Sequence, residues 1–155
     1  METRQATIED LEGLLKYVFE INQQHINFNP IRFSKFPNHR QLLKEHFEIE
    51  LRNTKSIIIV LFSKSEIVGY SYTKLEDDSL VDLSLQRAWL HDIFVDDKMR
   101  GQKGGQLLLD ASKKAAKTLG SPILMLQVAK QNDSARRIFQ KNGFEETTNE
   151  MMLVL

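Results

Sequence analysis

The reading of the fold turns on one stretch, Ala88-Trp89-Leu90-His91-Asp92-Ile93-Phe94-Val95-Asp96-Asp97-Lys98-Met99-Arg100-Gly101-Gln102-Lys103-Gly104-Gly105-Gln106. Its first eight residues alternate as a strand, with Trp89, His91, Ile93 and Val95 on one face and Leu90, Asp92 and Phe94 on the other. A short turn over 96–99 leads into glycines. Beyond them Leu108, Ala111, Ala115 and Leu119 recur at helical spacing, while Lys113, Lys114 and Lys117 lie off that stripe as a solvated face. Glycines at a helix start let backbone N–H groups converge on an anion, and the helix dipole adds favourable potential there. The pattern is neither a Walker P-loop nor a dinucleotide G-x-G-x-x-G. A strand, a phosphate-binding turn and a helix is one reading; a glycine-rich turn without a ligand is the plain alternative.

Reading outward toward the C-terminus, Gly120-Ser121-Pro122 stops the helix, and residues 123–128 form a buried-strand candidate. A helix is expected over 133–141, ended by Asn142-Gly143, and residues 144–155 supply one or two closing strands. In the other direction, 67–72 and 56–62 read as an antiparallel hairpin, in which Gly69 marks a bulge or a close approach. Residues 76–86 form a polar loop. A helix is expected over 38–52, with Leu42, His46 and Ile49 facing inward. Another is expected over 9–25, opened by the capping signal Thr7-Ile8-Glu9-Asp10 and carrying Leu11, Leu15 and Val18. A short strand over 3–7 precedes it. The order β-α-α-β-β-β-α-β-α-β(β) belongs to the α/β class (mixed α+β), a mixed central sheet with helices on both faces. Neither linker nor repeat divides it, so one domain over 1–155 is expected.

Composition narrows the chemistry. The 155 residues carry 21 Lys+Arg against 21 Asp+Glu, a net charge of +0, which argues against a basic nucleic-acid footprint or an electrostatic membrane anchor. With Cys 0 there is no thiolate metal site, disulfide or cysteine nucleophile. His25, His39, His46 and His91 are not spaced as metal ligands, so no metal is expected. The start lacks an apolar signal core and the apolar run 57–62 is too short to span a bilayer, so the cytoplasm is the expected address.

A second segment gives the turn its meaning. Asn132-Asp133-Ser134-Ala135-Arg136-Arg137-Ile138-Phe139-Gln140-Lys141-Asn142-Gly143-Phe144 resembles the N-x-x-A-x-x-(F/L)-(Y/F)-x-x-x-G-F signature of the GNAT family of N-acetyltransferases, and Arg100 to Gly105 resembles that family's R-x-x-G-x-G/A motif. The two stand in the family's order and spacing, and the opening Arg4 to Leu11 also looks like its members.

The resemblance implies a GNAT-like domain that binds acetyl-coenzyme A between two splayed parallel strands, with the pantetheine arm bonded to main chain like an added strand. Carried over residue by residue, Ile93, Phe94 and Val95 would meet acetyl and pantetheine, and Arg100, Gly101, Gln102, Lys103, Gly104, Gly105 and Gln106 the pyrophosphate. Asn132 would bond the pantetheine, with Asp133, Ser134 and Ala135 opening the flanking helix and Phe139 beside the thioester. His91 stands where some members carry a glutamate base, and Asp92 is the adjacent candidate, so these two are the catalytic candidates. His25, Phe28 and Phe33 are placed in an acceptor cleft.

Two departures follow. Lys103 occupies the usual first glycine position, and Gly104 is expected to take up the unusual dihedrals. Phe139 replaces a tyrosine that in many members protonates the departing thiolate. The implied reaction is acetyl transfer from acetyl-coenzyme A to a primary amine of a small molecule or peptide; the alternative is a non-catalytic acyl-coenzyme A binding or sensing domain. An amine acceptor is the expected partner, with no nucleic acid and no membrane, and the sequence leaves a homodimer open.

Overall fold

The computed structural model describes residues 1–33, 37–77 and 86–155. Its strands are β1 (Glu2–Gln5), β2 (Ser56–Ser63), β3 (Glu66–Leu75), β4 (Arg87–Val95) and β5 (Ile123–Leu126). The helices are α1 (Leu11–Phe28), α2 (His39–Glu50), α3 (Gly104–Thr118) and α4 (Asp133–Lys141). The sheet order is β1-β2-β3-β4-β5, antiparallel from β1 through β4, with β5 parallel to β4. Parallel pairing needs a crossover, and α3 supplies it.

The β-branched run Ile57-Ile58-Ile59-Val60 makes β2 an interior strand buried on both faces. Ile58 and Val60 pack under α1 and α2 with Leu14, Val18, Phe47, Tyr70, Tyr72 and Phe94, whereas Ile57, Ile59 and Leu61 meet Leu108 and Ala115 of α3. A third cluster joins Leu90, Leu109 of α3 and Phe139 of α4. Helices therefore cover both faces of the mixed sheet, and the element order is the one expected as far as α4. Burying each Leu, Val or Phe contributes about 1.5–3 kcal/mol, so these three clusters account for the sandwich of layers.

The capping signal at Thr7 acts through Asp10. Its carboxylate accepts the Thr7 backbone N–H at 2.8 Å and two guanidinium bonds from Arg4 at 2.7 and 2.8 Å. That bidentate pair, acting against burial, holds the Asp10 carboxyl below the usual range. A 3-10 turn over Ile8–Asp10 comes first, so α1 begins later and runs further than expected. On α2 the inward face is Leu43, Phe47 and Glu50; Leu42 and Ile49 point to solvent, 49% and 63% exposed. β5 ends at Leu126 rather than at 128, and Ile123 is 39% exposed on it. Residues 144–155, expected to close the sheet, carry no strand, and Met151, Leu153 and Val154 are exposed.

Candidate active site

β4 is the strand that makes the site. Its pairing with β5 covers only Arg87↔Ile123 to Leu90↔Leu126. Beyond Leu90, the strand continues through Val95 with no β5 partner, which leaves main-chain donors and acceptors of β4 facing a gap. At the point of parting the β3 register slips: Tyr72 pairs with Asp92 and Thr73 with Leu90, so His91 is an extra residue in a β-bulge.

The bulge resets the alternation, which corrects the expected faces. Leu90 belongs to the cluster under α3 and α4, while Phe94 belongs to the one under α1 and α2. His91 and Asp92 now share the α1/α2 side: the His91 ring stacks on Tyr72 at 5.0 Å and 23°, and Asp92 Oδ2 accepts the Tyr70 hydroxyl at 2.8 Å. Asp92 does not face away. Burial raises its carboxyl above the usual range, opposed by the Tyr70 hydrogen bond and by the charges available to His25, His91 and His46. Tyr70 is pushed up in turn, by burial and by the Asp92 charge. His91 itself is half-exposed, and its Nε2 lies 2.6 Å from Glu76 Oε1.

A cleft occupies the gap. Ile21, Gln24, His25 and Phe28 of α1 form one wall and Leu90, His91 and Ile93 of β4 the floor, with residues 126–129 and Asn132, Ala135 and Phe139 opposite. Seven candidates from the sequence thus meet in one place: His25, Phe28, His91, Ile93, Asn132, Ala135 and Phe139. Others do not. The side chain of Phe94 is buried in the core and Val95 packs toward α3. Asp133 and Ser134 are exposed at the start of α4. Phe33 packs on His25 with ring centroids 5.3 Å apart and planes tilted by 33°, and does not line the cleft. Asn132 caps α4, its Oδ1 accepting from Ala135 N–H at 3.3 Å and Ser134 Oγ at 3.2 Å, and the residue lines the cleft. Phe139 packs on Phe144 at 5.7 Å and presents no hydroxyl.

The glycine turn follows the C-terminal end of β4, and none of Arg100 to Gln106 lines that cleft. The first N–H groups of α3 have no intrahelical partners, the earliest helix bond being Leu107 N–H to the Lys103 carbonyl at 3.1 Å. Left-handed residues stand at Gly101 (φ 77°) and at Lys103 (φ 66°, ψ 5°), so Lys103 carries the unusual dihedrals and Gly104 does not, contrary to expectation. Gly104 has a different reason to be glycine. A Cβ there would come 2.8 Å from Leu61 Cδ2, and its absence lets α3 sit close on the sheet. At Gly105 a Cβ would meet nothing within 4 Å, so the start of α3 is open on that side.

This arrangement has known counterparts. The model of the Acetyltransferase (GNAT) family matches residues 21–144. The chain belongs to the GNAT family. A GNAT relative of Bacillus subtilis (strain 168), the uncharacterized N-acetyltransferase YhfO, is 31% identical over 123 residues, which are 78% of this chain and 80% of YhfO. Among solved structures, a mutant of the BH1408 protein from Bacillus halodurans superposes with a TM-score of 0.86 at 24% identity, over 100% of this chain and 99% of that one. AAC(6')-Iy, solved in complex with the bisubstrate analog CoA-S-monomethyl-acetylneamine, gives 0.71 at 16% identity, over 99% and 97%. These likenesses share the GNAT fold, and membership of the family makes this chain an acetyltransferase.

Sequence reasoning missed Ile21, Gln24 and 126–129 as cleft residues, and Tyr70, Tyr72 and Glu76 as neighbours of the β4 pair. The tyrosines had a signal in their i, i+2 spacing on β3, which puts both on one face. Glu76 was legible only as the first residue of the polar loop 76–86, of which 78–85 lie outside the described residues. Among those residues no three His, Asp or Glu are grouped to hold a metal ion, and no helix is long and apolar enough to cross a membrane.

Proposed function

We propose that residues 1–155 act as one acetyltransferase domain that takes acetyl-coenzyme A in the β4–β5 gap and acetylates a primary amine of a small molecule or peptide. One observation carries this reading: the strand pairing stops at Leu90 and Leu126 while the main chain of β4 runs on beside a cleft. Between Ile93 and Val95 the strand groups that point away from β3 have no β5 partner and suit an extended amide-bearing arm, and the open first turn of α3 suits a pyrophosphate, so the residues fit the donor. Asn132 would add its amide to that arm.

Bound there, the donor supplies an activated thioester carbonyl. An alkyl amine of pKa about 10.4 is neutral in only roughly one of 2,500 molecules at pH 7, so the chain must accept a proton as the N–C bond forms. His91 lies at the cleft and takes that role, with the half-buried Asp92 and its Tyr70 partner behind it. His25 and Phe28 would contact the acceptor from α1. Phe139 offers no proton to the leaving thiolate, which with a pKa of about 8.5 departs tolerably without one.

The test is release of free coenzyme A thiol on mixing the protein with acetyl-coenzyme A and polyamines, amino acids, aminoglycosides or peptide N-termini. Thiol release with an acetylated product is the expected result. Binding of acetyl-coenzyme A with no release on any amine would instead indicate an acyl-coenzyme A sensor.

A further inference from the structure

The bulge that exposes His91 also hands it to a second residue. Glu76 directly follows β3, and its backbone N–H is fixed by the Arg87 carbonyl at 3.0 Å, so its side chain returns across the start of β4. There Glu76 Oε1 lies 2.6 Å from His91 Nε2, a short charge-assisted distance. The two side chains are 31% and 37% exposed, so neither is free to sweep through solvent. Tyr72 stacks beneath the imidazole at 5.0 Å, and Trp89 lies beside it at 6.5 Å and 42°. Stacking sets the plane of the ring. The hydrogen bond sets its rotation within that plane.

We propose that Glu76 is a positioning residue which holds His91 as its Nε2–H tautomer, leaving Nδ1 as the atom that takes the proton of the acceptor amine. An ionised carboxylate can only accept, so the nitrogen it meets must carry hydrogen. In a neutral imidazole the lone pair then belongs to the other nitrogen. When Nδ1 takes up a proton, the positive charge forms next to the Glu76 carboxylate, which stabilises the charged ring at the moment of transfer. The carboxylate that meets the His91 ring is that of Glu76, whereas the described hydrogen bond of Asp92 is with Tyr70. The inference rests on the reading of His91 as the proton acceptor.

The experiment uses the full chain labelled with ¹⁵N in histidine, with the His91 signals assigned from a His91→Gln sample, and compares wild type, Glu76→Gln and Glu76→Ala. In the neutral ring, wild type should show the Nε2–H form as dominant. Glu76→Gln, whose amide oxygen still accepts, should keep it, and Glu76→Ala should give a mixture of tautomers. Under saturating acetyl-coenzyme A, kcat should fall in the order wild type, Gln, Ala, by about tenfold or more for Ala, with KM for acetyl-coenzyme A unchanged, a fraction of what general-base catalysis contributes. An Nδ1–H form in wild type overturns the proposal, and so does an unchanged kcat in both Glu76 variants. Unchanged kcat in His91→Gln overturns the underlying assignment of the base instead, and the tautomer measurement in the free protein keeps that failure distinct from a failure of the Glu76 contact.

Discussion

Replacing Lys103 by glycine is expected to stabilise this acetyltransferase, although it removes a residue at the mouth of the candidate donor site. Lys103 sits at φ 66° and ψ 5°, immediately before α3. A left-handed conformation costs a residue with a Cβ about 1–2 kcal/mol. Glycine relieves that strain but loses about 0.4–1 kcal/mol through the greater freedom of the unfolded chain. The difference is a gain centred on about 0.8 kcal/mol, or about 2–3 °C in Tm for a chain of this size. Little opposes it, because the Lys103 side chain is exposed and none of the described hydrogen bonds or ion pairs involves it. Urea unfolding of both proteins reads the gain as a raised midpoint at constant slope. A lowered midpoint would refute the reasoning, since it would mean that the lysine contributes more to the fold than its backbone costs.

Other expectations follow from neighbouring features. Gly104→Ala should destabilise by about 1–3 kcal/mol in the same assay, because its Cβ would press on Leu61, which is wholly buried and cannot retreat into solvent. Glu50 should dominate the acid limb of stability. Burial pulls its carboxyl up, but hydrogen bonds from Ser56, Lys74 and Tyr72 outweigh that and hold it at about 2 against a usual 4.5. A depressed carboxyl stabilises above its unfolded pKa and loses that contribution as pH falls, so Glu50 alone should account for a loss of about 3 kcal/mol between pH 4.5 and 2. Glu50→Gln, measured over the same range, should lose about 3 kcal/mol less than wild type, the remaining slope coming from other depressed carboxyls such as Asp10.

The elements legible in the sequence are those where local chemistry and tertiary packing agree. The α3 stripe of Leu108, Ala111 and Ala115 does face the sheet, and Leu11, Leu15 and Val18 do face inward from α1. Gly69 was legible as a bulge or a close approach and is both: the β2–β3 register slips beside it, and a Cβ there would lie 2.5 Å from the Phe94 carbonyl oxygen. The bulge at His91 left no such mark. Trp89, His91, Ile93 and Val95 read as an unbroken alternation, and only the pairing with β3 reveals the extra residue, because a bulge is a property of two strands and not of one. Leu42 and Ile49 misled because α2 carries apolar residues on more than one side, and only its packing against β2 and α1 selects Leu43 and Phe47. The Glu76–His91 contact joins positions 15 apart across a reversal of chain, and single-sequence periodicity carries no information about such a register.

The central claim is that acetyl-coenzyme A lies along the unpaired part of β4 and ends at the first turn of α3. Backbone amide shifts of the ¹⁵N-labelled protein, followed through a titration with acetyl-coenzyme A, test it directly. Saturable changes should concentrate at Ile93, Phe94 and Val95, at Gly104, Gly105 and Gln106, and at Asn132. Saturation that leaves those amides unmoved, or moves instead the far edge of the sheet around Thr3, Arg4 and Phe62, would contradict the account.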